Sequence, residues 1–200
     1  MTDCRLGVVM MLARLFRRRG GSGLLIAWTV FVGAFHLATP NGVFFTGDAT
    51  LKLLQTDALI ASGGSRIALT DPSLDLDPRG FVSAFHEPSV FRLNGLTFAV
   101  FPPAYAYLNV PWRVWFGAGG LHVVPFIGGL AILMFTMRIA RRGLGEEYAW
   151  LAAAITAVAT PVTFYSITPW EHTAATALIL AGINQLAWRV PTSGRALAAG

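Results

Sequence analysis

The stretch that decides the fold is residues 121–142, LHVVPFIGGLAILMFTMRIARR. It contains no Asp, Glu, Lys or Arg before Arg138. A helix rises about 1.5 Å per residue, so about 20 apolar residues match a bilayer core about 30 Å thick. The stretch therefore predicts a membrane-spanning helix that ends at a cluster of arginines. Gly128 and Gly129 within it, like Gly33 earlier in the chain, are expected to permit close helix packing.

Three further windows lack charged residues in the same way, at 20–47, 148–170 and 172–188. Hydrophobic residues make up 54% of the 200 residues and charged residues 12%, whereas a soluble domain carries about 25% charged residues. We therefore predict an all-α polytopic membrane protein with about four transmembrane helices and interfacial helices in a long first outer loop. The predicted transmembrane helices lie at about 24–38, 120–137, 148–165 and 172–188.

The positive charge predicts orientation. The net charge is +5, but the arginines flank the apolar windows instead of forming a stripe on a soluble face. We interpret them as topology determinants and contacts with membrane lipids, and we expect no nucleic-acid binding. This places the basic segment 1–22 in the cytoplasm, followed by a membrane domain at 23–190. Within that domain the loop 40–118 lies outside, and the tail 191–200 returns to the cytoplasm.

Residues 98–116, FAVFPPAYAYLNVPWRVWF, permit two interpretations. They are apolar enough for a fifth crossing, which would carry Arg138 and the arginines after it to the outside. A helix lying on the membrane surface keeps those arginines inside, so we favour the surface helix. In it, the aromatic residues are expected at headgroup depth, namely Tyr105, Tyr107, Trp112 and Trp115.

Asp48 is the first candidate for chemistry. It follows Gly47 just beyond the first predicted helix, at the outer water interface. A carboxylate there, partly desolvated by aromatic neighbours, is placed to act as a general base. The alternative is a structural role, in which Thr46 or Asp48 caps an outer helix and Asp48 forms a surface ion pair with Lys52.

Glu171 and His172 are the second candidates, because they lie at the outer mouth of two predicted helices, where ionisable groups line substrate paths. The alternative for Glu171 is an acid stabilised by the dipole of a helix start. Arg66 and Arg92 are outer cations that could hold a substrate phosphate or contact lipid headgroups, as could Arg79 and Arg113.

Metal binding is predicted by no ligand-spaced motif. The single Cys4 excludes a cysteine-built site. The acidic loop and the residues after it offer oxygen and nitrogen ligands, namely Asp71, Asp75, Asp77, His86 and Glu87. Two interpretations of these residues are possible, a divalent-cation site with water-rich coordination and a solvated loop without a metal ion.

Several short motifs together resemble a known layout. They are Phe45-Thr46-Gly47-Asp48, Phe101-Pro102-Pro103, Trp115-Phe116-Gly117, Ile139-Ala140-Arg141-Arg142, Thr160-Pro161, Phe164-Tyr165-Ser166 and Trp170-Glu171-His172-Thr173. Over residues 24–190 the chain resembles the N-terminal half of GT-C class integral-membrane glycosyltransferases. The branch it resembles is related to dolichyl-phosphate-mannose protein mannosyltransferases and lipid A aminoarabinose transferase.

The resemblance implies transfer of a sugar from a polyprenyl-phosphate donor to a glycan, lipid or protein acceptor on the outer face. It implies that Asp48 is the base, that Glu171 and His172 contact the sugar, and that an outer arginine or a divalent metal ion stabilises the leaving phosphate. It also implies the inner (plasma) membrane of a bacterium, and a chain that is a fragment or truncated frame. The rival interpretations are a non-catalytic scaffold or assembly subunit, and a transporter half that dimerises.

The predicted topology can be tested by labelling single cysteines at Asp75 and Gly143 in a Cys4→Ser background. In intact cells, an impermeant thiol reagent should label position 75 and spare position 143, because the arginines hold the latter inside. Labelling of position 143 from outside would contradict four crossings and favour five.

Overall fold

The structure, a computed structural model, describes residues 21–40, 43–44, 46–69 and 89–189. Helix accounts for 76% of them, so the all-α prediction is confirmed at this level. The helices are α1 (Gly21–Ala38), α2 (Gly47–Ala61), α3 (Pro103–Phe116), α4 (Val123–Gly143), α5 (Glu146–Ala159), α6 (Val162–Ile167) and α7 (His172–Arg189), with a 3-10 helix (Gly117–His122) between α3 and α4. Two short strands, β1 (Val90–Leu93) and β2 (Leu96–Ala99), complete the described elements.

By length and composition, two helical segments among the described residues could cross a membrane, Gly21–Ala38 and Pro103–Gly143. The helix expected at 148–165 is instead divided, because α5 ends before Pro161 and α6 begins after it. Proline lacks the N–H that would continue the helix. With 14 residues, α5 is about 21 Å long, shorter than a bilayer core.

The chain divides into two compact units. Among the described residues, the first unit contains 21–34, 127–166 and 172–189. The second unit contains the described residues of 35–126 together with 167–171.

In the first unit, the glycine pair of α4 permits the close packing expected of it. A Cβ on Gly128 would lie 2.7 Å from the backbone of Thr173 at the start of α7. One on Gly129 would meet the side chains of Ser166 and Trp28. Gly33 makes no such close approach within the part of the chain that the structure describes, since no described residue outside its own helix lies within 4 Å of where its Cβ would be.

In the second unit, β1 and β2 form an antiparallel hairpin in which Val90 pairs with Ala99. The turn is Asn94-Gly95, and both residues have positive φ, 53° and 76°. Those angles match the right-handed twist of a two-residue hairpin, which explains the Asn-Gly sequence. An apolar cluster of Leu51, Leu69, Val90 and Ala99 includes both the hairpin and α2.

α3 packs against α2 within the second unit. The Arg113 guanidinium donates two hydrogen bonds to the Asp57 carboxylate, at 2.8 and 3.2 Å. The Tyr107 hydroxyl donates to the Gly64 carbonyl at 2.9 Å. Arg113 therefore has a structural role as the partner of Asp57, and the headgroup or phosphate contact considered for it stays a prediction. Tyr107 and Trp115 are exposed, whereas Tyr105 is buried against the protein. Their depth in a membrane stays a prediction.

Substituting Ala at Gly128 should destabilise the first unit, because the backbone near Thr173 cannot move aside as a flexible side chain would. Overpacking of this kind costs about 1–3 kcal/mol. Gly33→Ala is the matched control, since it meets open space and should gain up to about 1 kcal/mol of helix propensity. In detergent, the midpoint temperature of thermal unfolding should be lower for Gly128→Ala than for the parent. For Gly33→Ala it should equal or exceed that of the parent. The reverse order would refute the close approach at Gly128.

Candidate functional site

The centre of the second unit is an ion pair between Lys52 and Glu171. The Lys52 side chain is 3% exposed and its Nζ donates to Oε2 of Glu171, which is 29% exposed. Both residues belong to the second unit. A buried ammonium is costly unless a counter-charge and hydrogen bonds compensate it, so this pair constrains how the unit can fold.

The sequence of α2 explains why Lys52 points inward. The buried residues Lys52, Gln55, Thr56 and Leu59 follow the i, i+3, i+4, i+7 spacing of one helix face. Lys52 therefore lies on the buried face of α2, at a position that an apolar residue usually occupies.

The segment before α7 supplies the carboxylate. Thr168 and Pro169 are buried, and the Trp170 N–H donates to the Thr168 carbonyl at 2.7 Å. This tight turn presents Trp170 and Glu171 to the second unit, so Glu171 is held by local backbone geometry as well as by Lys52.

Aromatic rings surround the Lys52 ammonium. Its Nζ lies 4.5 Å from the ring centroid of Phe101, 5.5 Å from that of Tyr105 and 5.7 Å from that of Trp170. At these distances a cation is attracted by the ring faces. The rings also exclude water from the ion pair, which strengthens its electrostatic attraction.

Two buried amides extend this polar interior. Gln55, 1% exposed, donates from Nε2 to the Phe101 carbonyl at 3.3 Å. Asn109, fully buried, donates from Nδ2 to the Tyr105 carbonyl at 2.8 Å. Their side-chain oxygens have no hydrogen-bond donor among the described residues. The interior between α2 and α3 is therefore rich in hydrogen-bond acceptors.

Asp48 lies one helical turn before Lys52, in the first turn of α2, and is half-buried. Residues at i and i+4 of a helix have Cβ atoms about 5–6 Å apart, so Asp48 and Lys52 lie on the same side of α2, although the partner of the Lys52 ammonium is Glu171. The alternative of a surface ion pair between Asp48 and Lys52 is wrong, because Lys52 is buried and pairs with Glu171. Thr46 occupies the N-cap position without a side-chain cap bond, and the helix dipole stabilises an acid at Asp48.

The other predicted site residues are dispersed. His172 is exposed at the start of α7 in the first unit, with its ring 4.8 Å from that of Tyr165. Arg92 is exposed on β1, opposite Thr97. Arg66 is exposed beyond the C-terminal end of α2, a helix of 15 residues and thus about 22 Å long. That length separates Arg66 from Asp48.

A metal centre has no support among the described residues, which contain no group of three or more His, Cys, Asp or Glu side chains placed to hold one. His36 and His122 lie with ring centroids 4.6 Å apart, beside Phe44 and Phe126. The acids and the histidine considered for a divalent cation lie outside the described residues, namely Asp71, Asp75, Asp77, His86 and Glu87.

Sequence reasoning missed Lys52 as the organising residue. One signal could have identified it, because Lys52 is the only lysine in a chain whose other fourteen basic residues are arginines. Its aromatic neighbours could not be assigned from spacing, since Phe101 and Trp170 are far from it along the chain.

Comparison of the chain with models of known protein families, with curated proteins and with solved structures finds no significant match. Function is therefore inferred from the residues of the site and from the resemblance of the short motifs.

Replacing Lys52 by Met should destabilise the protein by roughly 3 kcal/mol, because the Glu171 carboxylate loses its compensating charge beside aromatic rings. Adding Glu171→Gln to that variant should restore part of the loss, since a neutral amide does not need an ammonium. The measurement is urea or thermal unfolding of the four combinations, with Arg92→Gln as an exposed control that should change little. If the changes in unfolding free energy of the two single variants add up to that of the double variant, Lys52 and Glu171 are not coupled and the prediction is refuted.

Proposed function

We propose that the chain is the N-terminal part of a membrane glycosyltransferase of the GT-C type. In this proposal it moves a sugar from a polyprenyl-phosphate donor to a glycan, lipid or protein acceptor on the outer face. The observation that carries the proposal is the half-buried Asp48 one turn from the Lys52–Glu171 pair. The motif resemblance adds the reaction class, and no metal ion is assigned to the described residues.

The proposed reaction is an inverting displacement at the anomeric carbon. The acceptor hydroxyl gives its proton to Asp48, and its oxygen forms a bond to the anomeric carbon. The bond from that carbon to the phosphate oxygen breaks, and the phosphate leaves with the electron pair. Cationic groups or a metal ion stabilise a phosphate leaving group of this kind.

Glu171 and the aromatic rings are proposed to contact the sugar. Lys52 fixes the position of Glu171, while 29% of the Glu171 side chain is exposed. A carboxylate accepts hydrogen bonds from sugar hydroxyls, and the apolar C–H faces of a sugar pack against aromatic rings. Arg92 of the same unit is kept as a further proposed contact of the substrate. His172 belongs to the first unit, and Arg66 lies too far along α2 to join Asp48.

The proposal includes four membrane crossings in a bacterial plasma membrane, with the N-terminus in the cytoplasm. The arginines in the last turns of α4 support this orientation, since they lie at the C-terminal end of one of the two segments apolar enough to cross. Residues 40–118, which carry Asp48, are then outside, where a lipid-linked sugar donor is presented.

A second candidate function is a non-catalytic scaffold or assembly subunit. The two ion pairs of the second unit favour it, because Lys52–Glu171 and Arg113–Asp57 serve the packing of the unit itself. A transporter half is favoured less, because the 114–137 window contains none of the mid-membrane Asp, Glu, Lys or Arg that transport commonly uses.

The Asp48→Asn variant separates the first two functions. It keeps the shape of the side chain but removes the charge that accepts the proton, so turnover should fall by roughly 10²–10⁴-fold. The measurement is transfer of labelled sugar from polyprenyl-phosphate mannose and polyprenyl-phosphate aminoarabinose to membrane acceptors. Membrane insertion and thermal unfolding should match the parent.

Glu146→Gln is the matched acid control, because Glu146 is exposed and pairs with Arg141 on the surface of the first unit. It should retain the parent's turnover. The comparison is made in a full-length context, because the proposal assigns this chain only the N-terminal part of the enzyme. If Asp48→Asn then transfers sugar as fast as the parent, the scaffold function becomes the better one.

A further inference from the structure

The first unit contains a basic pocket that the proposed function does not use. Its cavity volume is about 650 Å³, and it lies between the C-terminal part of α4 and the middle of α7. Its polar lining consists of Arg138, Arg141, Arg142, Asn184 and Gln185, and Phe135 is among its apolar residues.

The three arginines share one face of α4, because their spacing is i, i+3 and i+4. The Arg138 guanidinium lies 6.0 Å from the Phe135 ring centroid, and Arg141 forms an ion pair with Glu146. The carboxylates nearest along the chain, Glu146 and Glu147, do not line the pocket. Arg138 and Arg142 therefore make the pocket wall cationic and present planar guanidinium groups to it, while the guanidinium of Arg141 is shared with Glu146.

A buried amide makes this more than a cluster of surface charges. Asn184 lines the pocket and is 5% exposed, and its Oδ1 has no hydrogen-bond donor among the described residues. A buried amide oxygen without a donor is costly, and a hydroxyl group of a bound ligand, such as that of a glycerol head group, would donate to it. Gln185 adds a second amide beside it.

We propose that this pocket binds the phosphate of an anionic phospholipid. Arginine forks pair with phosphate oxygens bidentately, and basic pockets between membrane helices hold lipid head groups. The position favours a lipid over a free anion, because α4 belongs to a segment apolar enough to cross a membrane and the arginines lie at its end. Phe135 then provides an apolar contact for the glycerol and the first acyl carbons.

The experiment measures the affinity of phosphatidylglycerol for the full chain in detergent, by native mass spectrometry. Each of Arg138→Gln and Arg142→Gln should weaken binding roughly fivefold, and the double variant roughly 25-fold. The double variant Arg138→Lys with Arg142→Lys keeps the charge but loses the planar guanidinium groups, so it should bind more tightly than the double Gln variant and more weakly than the parent. Asn184→Leu should weaken binding although it changes no charge. Phosphatidylcholine, which has a phosphate but no net charge, should bind more weakly than phosphatidylglycerol.

Arg66→Gln is the matched control, because it removes an exposed arginine from the second unit. Equal affinity of the double Gln variant and the parent would overturn the proposal, as would an equal loss in Arg66→Gln, which would indicate diffuse attraction. Complete displacement of the lipid by millimolar inorganic phosphate would overturn the lipid assignment in favour of a free anion. Thermal unfolding of each variant checks that the fold is retained, and Asn184→Leu tests the pocket by a second route if an arginine variant unfolds.

Discussion

The second unit depends on one constraint, that a buried ammonium must keep its counter-charge. Lys52 and Glu171 are 119 residues apart along the chain, so their pairing joins α2 to a segment that sequence order places far away. The rings of Phe101, Tyr105 and Trp170 lower the local polarity and thereby strengthen both the attraction and the penalty for breaking it. The positions of α2, α3 and the Thr168–Glu171 turn all follow from satisfying this pair.

The local pattern of the sequence was sufficient to predict α1 and α4, but it did not predict the division between α5 and α6. Apolar windows identify α1 and α4, and the Gly128-Gly129 pair correctly indicates close packing, because both signals lie within a few residues of one another. The charge-free window at 148–170 suggested one continuous helix, but Pro161 within it marks the break between α5 and α6. The four crossings stay a prediction, since crossing a bilayer depends on the lipid as well as on the chain.

The candidate site was predictable only in part. Asp48 could be selected because an acid at a helix start beyond an apolar segment is a local feature. Its surroundings could not, because Arg113 and Asp57 are 56 residues apart and no periodicity encodes which cation meets which anion. For the same reason Lys52 was assigned to its neighbour Asp48, whereas burial and a distant carboxylate determine its true partner. The burial of Tyr105 against the protein was not predictable either, since an aromatic residue suits both a headgroup region and a protein core.

The chemistry of lysine and arginine explains how the chain distributes its cations. An ammonium is compact, so Lys52 fits among three aromatic rings while one carboxylate balances it. A guanidinium is larger, never loses its proton, and binds with a planar fork. Arg113 uses that fork on Asp57 at a half-exposed helix contact, and the arginines at the end of α4 present it to the first unit's pocket. Replacing the single lysine by arginine would force a broad planar group into the aromatic enclosure, which is a physical reason for a lysine at this one position among so many arginines.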